Sequence, residues 1–306
     1  MEITVVIATT GRPDVLGQTL TRLARQTRSP DRIIVVGASE SDFDPRDGFE
    51  GVQFVVSAKG SAKQRNCGLD LLAGTAGAVI FLDDDFIPAS DFIAGAERLM
   101  IAHPEVVAAS GHLLADEIRS AGISLAQADA LIASHEARSR LLEDRIVDQT
   151  GAYGCNMIVR VGALPDARFD ENLPLYGWLE DLDFSSRFAA AGRVVETGLC
   201  VGVHLGVKTG RTPGLRLGYS QIANPLYLAA KGTMDRRKAV TMATKNVIAN
   251  SLRSLWPEPY IDRRGRLKGN LLAIADLVLG RIHPMRVLSR RIAGQAAGAR
   301  QPVLGP

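Results

Sequence analysis

The chain opens with short, unbroken apolar runs separated by polar stretches. Ile3-Thr4-Val5-Val6-Ile7-Ala8, Ile33-Ile34-Val35-Val36, Val52-Gln53-Phe54-Val55-Val56 and Ala78-Val79-Ile80-Phe81-Leu82 are rich in β-branched and aromatic residues. Runs of this kind, bounded by turn residues, read as buried strands. Between the first two, Leu16, Leu20 and Leu23 recur at helical spacing, with Asp14 as the expected cap. Between the third and fourth, Gly60 to Leu72 reads as a helix with a basic first half. Strands alternating with helices predict an α/β fold with a mostly parallel sheet and right-handed crossovers. In such sheets ligands bind at the carboxyl ends of strands, where the strand order reverses. Two such ends are polar: Thr9-Thr10-Gly11-Arg12-Pro13 after the first strand and Asp83-Asp84-Asp85 after the fourth. If those two strands are neighbours, both ends flank one crevice.

Farther along, Val106 to Ser110 reads as a strand and residues 113–145 as mainly helical. Gly151 to Val159 leads through glycines into another strand, and Cys200 to His204 is the last. Glu180 to Ala191 reads as a helix ended by Gly192, with Glu180, Asp181 and Asp183 in its first turns. The remainder is helical over about 215–231, 236–255 and 267–281. In the last of these, Leu267, Leu271, Ile274 and Val278 share a spacing, and Leu272, Ala275 and Leu279 broaden the apolar face. The expected domains are an α/β part over 1–210, a basic helical region over 211–293, and a disordered Gly/Ala/Pro-rich tail over 294–306.

Composition narrows this picture. The chain has 306 residues, 46% of them hydrophobic, which is ample for a sizeable core. Cys67, Cys155 and Cys200 show no CxxC spacing, so neither a zinc site nor a disulfide framework is expected, and the compartment is read as reducing. No basic segment precedes the first strand, and no apolar run reaches the roughly 18 residues of a membrane span. The net charge of +3 hides an asymmetry: Leu205 to Pro306 holds 18 Lys and Arg against 4 Asp and Glu, while Met1 to His204 holds 18 against 29. An acidic body with a basic C-terminal third predicts an anionic partner for that third.

Three adjacent carboxylates repel one another, and a bound Mg2+ or Mn2+ is the usual reason to hold them together. Side chains at i and i+2 of an extended segment share a face, so Asp83 and Asp85 would reach one ion while Asp84 points elsewhere. The structural alternative is a solvated acidic turn with Asp83 as a helix cap. For the second cluster, the alternative is stabilisation of a helix start by its dipole.

Taken in order, these pieces resemble inverting glycosyltransferases of family 2, which have the GT-A fold. The resemblance is carried by the Thr9 to Pro13 turn, Ala62-Lys63-Gln64-Arg65-Asn66-Cys67-Gly68-Leu69, Leu82-Asp83-Asp84-Asp85, Phe169-Asp170-Glu171, Glu180-Asp181-x-Asp183 with Arg187, and His204. It spans residues 3 to about 205. Tyr219 to Lys231 and Arg263 to Pro284 further resemble bacterial members that build cell-surface polysaccharides. The fold so implied is a GT-A type, Rossmann-like sheet flanked by helices, with a C-terminal helical extension.

The resemblance implies roles. Asp83, Asp85 and His204 would hold the divalent cation. Asp181 would be the catalytic base, with Glu180 beside it touching donor sugar or acceptor. Thr9, Arg12, Ser39, Arg65 and Asp84 would line the nucleotide, and Lys208 and Arg211, in the loop after His204, would close over its diphosphate. Tyr176 and Trp178 would offer aromatic faces to a sugar ring. Asp183 and Arg187 form a structural (i, i+4) pair. The sequence departs from the family after its second strand. Val36-Gly37-Ala38-Ser39 stands where an acid usually meets the pyrimidine base, so Glu40 or Asp42 would have to reach in.

The implied partners are a nucleoside-diphosphate sugar, UDP- or dTDP-linked, and a saccharide or lipid-linked acceptor. The basic-flanked last helix suits an anionic membrane surface or a second copy of the chain, and the expected location is cytoplasmic, at the inner face of the plasma membrane. Nucleic acid is not expected, because no recognised module accompanies the charge. Two competing readings are weighed. A phosphatase of the haloacid-dehalogenase type places its acids after the first strand rather than the fourth, and leaves the 180–183 cluster without a task. A non-catalytic nucleotide-sugar-binding protein would bind without turnover.

Overall fold

The computed structural model describes residues 1–44, 48–72, 77–118, 120–138, 145–208, 212–289 and 292. Its contacts divide the chain into two units: Met1–Asp170 with Glu180–Gly210, and Glu171–Leu179 with Arg211–Pro306.

In the first unit the described residues form nine strands: β1 (Glu2–Ala8), β2 (Arg32–Gly37), β3 (Val52–Val56), β4 (Gly77–Asp83), β5 (Phe86–Pro88), β6 (Val106–Asp116), β7 (Ile146–Asp148), β8 (Asn156–Arg160) and β9 (Arg193–His204). They make one sheet in the order β3-β2-β1-β4-β8-β6-β9-β5, with β7 added to β9. Pairing is parallel from β3 through β4 and again between β6 and β9; β8, β5 and β7 run antiparallel to their neighbours. The first and fourth strands are neighbours, with Ala8 opposite Asp83. The chain therefore leaves β1 to one side and returns on the other. The Thr9 turn and the three aspartates share the crevice at that reversal.

Alternation along the strands builds two core layers. Ile3, Val5 and Ile7 of β1 and Ile80 and Leu82 of β4 pack with Leu16, Leu20 and Leu23 of α1 (Pro13–Leu23) and with Phe92, Ile93, Ala96 and Leu99 of α3 (Phe92–Ala102). Val6, Val79 and Phe81 point to the opposite face, where α2 (Ser61–Asp70) lies, and join Phe169, Phe184 and Phe188. Burial on both faces explains why these runs are apolar throughout. Fully burying each such side chain is worth roughly 1.5–3 kcal/mol.

Two local expectations change. α1 starts at Pro13 with Arg12 at its N-cap, so Asp14 lies inside the first turn and caps nothing. Residues 113–116 continue β6 as strand, and α4 covers only Leu125–Ala137, because β6 runs the length of β9. The expected acidic helix is α5 (Glu180–Ser186), continued by a 3-10 turn over Arg187–Ala190.

The second unit contains α6 (Gly214–Lys231), α7 (Arg236–Arg253) and α8 (Arg263–Val278). Asp235 and Asp262 cap α7 and α8 by accepting from the Lys238 and Gly265 N–H groups, and Gly232 ends α6 in the left-handed region. α6 and α8 pack closely at Gly218 and Gly269. A Cβ on Gly269 would sit 2.1 Å from the Leu215 carbonyl oxygen, and one on Gly218 would sit 2.0 Å from that of Arg266. This close approach decides which face of the last helix is buried. Its buried face is Gly269, Asn270, Ala273 and Asp276, whereas Leu271 and Val278 are exposed. The face that fits a neighbouring backbone is the small one, not the leucine-rich one. A buried network holds the register: Asn250 Nδ2 donates to Gln221 and Asn270 at 2.8 Å each, and Arg263 Nη1 donates to Asn250 Oδ1 at 3.1 Å. Tyr176 and Trp178 belong to this unit. Tyr176 is half exposed, Trp178 is half-buried, and the Trp178 carbonyl accepts from Asn224 Nδ2 at 2.7 Å. Leu175 and Leu179 of the same segment have left-handed φ angles of 63° and 78°. The expected tail, 294–306, lies outside the described residues.

Candidate active site

The three aspartates at the end of β4 split as the alternation requires. Asp83 and Asp85 turn toward His204, the last residue of β9: Nε2 of the imidazole is 3.2 Å from Asp85 Oδ1 and 3.8 Å from Asp83 Oδ2. Asp84 turns the other way and is fully buried. Its carboxylate accepts from Thr9 Oγ1 at 2.7 Å and from Arg12 Nε at 3.1 Å, and pairs with Arg12 Nη2 at 2.5 Å. Thr19 of α1 donates to the Asp84 carbonyl at 2.7 Å, fixing the turn from below. Asp85 Oδ2 also accepts the Val207 N–H at 2.9 Å.

Asp83, Asp85 and His204 can each offer one ligand atom within 4.8 Å of the others, a set that suits a divalent cation. The electrostatics agree with that fit. Burial disfavours charge on His204, yet hydrogen bonds to Asp116 and Asp85 and the charges of Asp85 and Asp83 outweigh it and raise the imidazole to about 10. Burial likewise disfavours the Asp85 carboxylate, but the His204 hydrogen bond and charge hold it down at about 2. The cluster draws positive charge to its centre. Asp84 differs: burial raises it to about 7, with Asp85 adding to the rise and Arg12 opposing it.

The second acidic group is carried to the same place by aromatic packing. Phe169 and Phe184 stack at 3.9 Å, and both meet Phe81 of β4 edge-on. Asn66 of α2 reads the backbone of Phe169 in both directions, donating to its carbonyl at 3.0 Å and accepting its N–H at 2.7 Å. Asn66, Phe81, Phe169 and Phe184 thereby form one packed assembly. At its edge, Glu180 Oε1 accepts from Ser61 Oγ at 2.8 Å and from Arg65 Nη1 at 3.1 Å. Asp181 Oδ2 accepts the Gly154 N–H at 2.9 Å and Oδ1 accepts that of Leu182 at 2.8 Å. Gly154 is glycine for a steric reason: a Cβ there would lie 3.0 Å from Asp181 Cβ and 3.1 Å from Arg65 Nη1. Burial raises the Glu180 carboxyl to about 7, helped by the Asp181 charge and opposed by Arg65. Burial also raises Asp181, against the pull of the Gly154 hydrogen bond and the Arg65 charge.

Arg65 joins the two groups. Its Nη2 donates to Asp83 Oδ1 at 2.9 Å and to the Gly154 carbonyl at 3.0 Å, while Nη1 holds Glu180. The basic helix face expected to meet a nucleotide thus sends its arginine inward, 4% exposed, between the acids. Lys208 Nζ donates to the carbonyls of Glu117 and Ile118 at 3.1 and 3.2 Å, and Arg211 lies outside the described residues. Ser39 is exposed at the end of β2, with its hydroxyl 2.7 Å from that of Ser41. Asp42 is buried and accepts the N–H groups of Gly11 and Ala38 at 2.7 Å and of Ser39 at 3.0 Å, so it builds the rim of the crevice. Asp183 is buried and pairs with Arg187 at 3.9 Å. Single residues carry little signal for Arg65 as a bridge, Gly154, Ser61, Tyr153 or Asp116. The glycine-loosened run at 151–154 was the one local hint. A cavity of about 400 Å³ on the outer side of α1, lined by Arg22, Arg25, Phe49 and Leu125 among others, has none of these acids in its wall.

The family model described as glycosyl transferase family 2 matches residues 4–117, which include β1 to β6, Arg65 and the three aspartates. No curated protein sequence matches the chain. Among solved structures, it is similar to a mannosyltransferase, PcManGT, from Pyrobaculum calidifontis, determined in complex with GDP-Man and Mn2+. The identity is 16%, over 97% of this chain and 80% of that one, with a TM-score of 0.52. TarS of S. aureus aligns at 16% identity and TM-score 0.48 over 73% of this chain, and a TarS fragment, 1-349, at 13% identity and TM-score 0.47 over 92% of both chains. The chain spans 40% of the length of the longer TarS structure. Residues 4–117 thus match glycosyl transferase family 2, and the chain shares the fold of the mannosyltransferase.

Proposed function

We propose that the protein transfers a sugar, with inversion, from a nucleoside-diphosphate sugar to an acceptor hydroxyl, in the assembly of a bacterial surface polysaccharide or glycolipid. One observation carries this reading: Arg65 spans from Asp83 to Glu180, so a cation-type cluster and a pair of raised carboxyls share one crevice. Asp83, Asp85 and His204 would hold Mg2+ or Mn2+, which when bound would neutralise the charge that grows on the leaving β-phosphate. Asp181 takes the proton of the acceptor hydroxyl as that oxygen attacks the anomeric carbon from the face opposite the diphosphate. The bond from the anomeric carbon to the phosphate oxygen breaks, and its electrons leave with the nucleoside diphosphate. Gly154 and Leu182 orient the Asp181 carboxylate through their N–H groups, and its raised proton affinity suits a base. Arg12, anchored on buried Asp84 with its side chain 19% exposed, would meet the nucleotide at the mouth of β1.

The donor is proposed to be UDP- or dTDP-linked. The GDP-Man complex of the mannosyltransferase adds GDP-sugars to the test. Thermal shift with UDP-, dTDP- and GDP-sugars, each with and without Mn2+, should single out one base. Release of the nucleoside diphosphate from that donor, on addition of a glycolipid or oligosaccharide acceptor, should follow. Cation-dependent binding without release under any acceptor would favour the non-catalytic reading.

We also assign the second unit to the membrane side of a cytoplasmic protein. No helix among the described residues is long and apolar enough to cross a bilayer. However, α8 presents a stripe of Arg264, Lys268, Leu271, Ala275 and Val278, and Leu252, Leu255 and Trp256 are exposed at and just beyond the end of α7. Basic and apolar residues mixed on one exposed surface fit an anionic bilayer. Dimerisation through the same surface is the competing outcome.

A further inference from the structure

Asp116 has no task in the reaction above, yet it is tied to one of the proposed ligands. It ends β6, and a shift in strand register between Leu113 and Ala115 sets it opposite His204. Its Oδ1 lies 2.9 Å from His204 Nδ1, and its Oδ2 accepts the Tyr153 hydroxyl at 3.2 Å. The Tyr153 ring stands edge-on to the imidazole, with ring centres 6.3 Å apart. A histidine can give one ring nitrogen to a cation only if that nitrogen is free of a proton. The partner of the other nitrogen decides which one that is. Here the carboxylate sits on the Nδ1 side, and Nε2 faces the space shared with Asp83 and Asp85.

We propose that Asp116, steadied by Tyr153, is the positioning residue that keeps the His204 proton on Nδ1 and aims Nε2 into the cation site. This rests on the reading of Asp83, Asp85 and His204 as that site. Asp116 acts through the imidazole, adding one carboxylate behind the cluster. Tyr153 limits the rotation of Asp116 and so sets the plane of the imidazole indirectly.

The test is Mn2+ binding to the full chain, followed by the electron paramagnetic resonance of free Mn2+ in the presence of UDP or GDP. D116A should weaken binding by about 10–100-fold, the usual effect of losing an outer partner of a ligating histidine. In D116N the amide oxygen can still accept the Nδ1 proton, so it should fall between D116A and the unmodified protein; Y153F should cost less than either. The double variant D116A/H204A should bind no more weakly than H204A alone, because the effect runs through His204. Unchanged binding in D116A while H204A is impaired would overturn the positioning role and leave the cation site standing, as would additive losses in the double variant. Absence of Mn2+ binding by the unmodified protein with either nucleotide would remove the cation site and this role together. If D116A does not fold, D116N decides, and binding equal to that of the unmodified protein overturns the proposal.

Discussion

Arg65 Nη1 lies 3.1 Å from Glu180 Oε1, and the same guanidinium holds Asp83 at 2.9 Å. One buried cation thus stands between the end of β4 and the start of α5, 115 residues from Glu180 in the chain. Removing one partner of a buried ionic network costs about 3–5 kcal/mol, because the remaining charges are left unpaired. R65Q should therefore lower stability by about that amount in urea denaturation. R65K should recover only part of it, since a single ammonium cannot span both acids. An R65Q protein as stable as the original would mean that the bridge contributes little.

The proposed base is tested by D181N. The amide can still accept the Gly154 N–H, so the loop should keep its shape while the proton acceptor is lost. Turnover should fall by about 10²–10⁴-fold. Donor affinity, read by calorimetry, should stay within a few-fold. Retained transfer would exclude Asp181 as the base.

The pH profile follows from the raised carboxyls. A base works only when deprotonated, so activity should be lost as pH falls through the Asp181 value, which burial places above the ordinary carboxylate range. The Asp181 charge in turn helps to raise Glu180. Stability has its own sign. Glu180 titrates near 7 in the fold and at about 4.3 in an unfolded chain, so its contribution is complete below the lower value and is lost as pH rises through the upper one. Melting temperatures of the original protein should decline between pH 5 and 8 more than those of E180Q.

Loss of a proposed ligand should exceed loss of an outer partner. D85A also frees the Val207 N–H that Asp85 holds at 2.9 Å. Nucleotide binding in the presence of Mn2+ should weaken by about tenfold or more, while the weaker binding measured in EDTA should be nearly unaffected. Equal losses with and without Mn2+ would point to damage of the loop rather than of a cation site.

The membrane assignment predicts flotation with phosphatidylglycerol vesicles at low salt, release as salt rises, and no retention on neutral vesicles. W256S and K268E should each reduce retention. Vesicle binding that ignores charge, or a dimer by light scattering that W256S dissolves, would reassign this surface.

The α/β alternation, the crevice at the β1–β4 reversal and the two acidic groups could be read from the chain, because each is a matter of local periodicity or short motif. The orientation of α8 could not. Its leucines carry the periodic signal, but close packing against α6 selected Gly269 and Ala273 for burial and turned Leu271 and Val278 outward. Arg65 was legible as a basic residue of a helix, not as a bridge.

By itself, then, the sequence determined which elements form and which residues could do chemistry, since strand and helix periods and the order of motifs are properties of neighbouring residues. Only the tertiary structure decided which further charges meet: Arg65 with Asp83 and Glu180, and His204 with Asp116, partners 18 to 115 residues apart. The physical reason is that charge pairing falls off with distance in space and is indifferent to separation along the chain, so the ends of β4, β6 and β9 had to be brought together before their side chains acquired a common purpose.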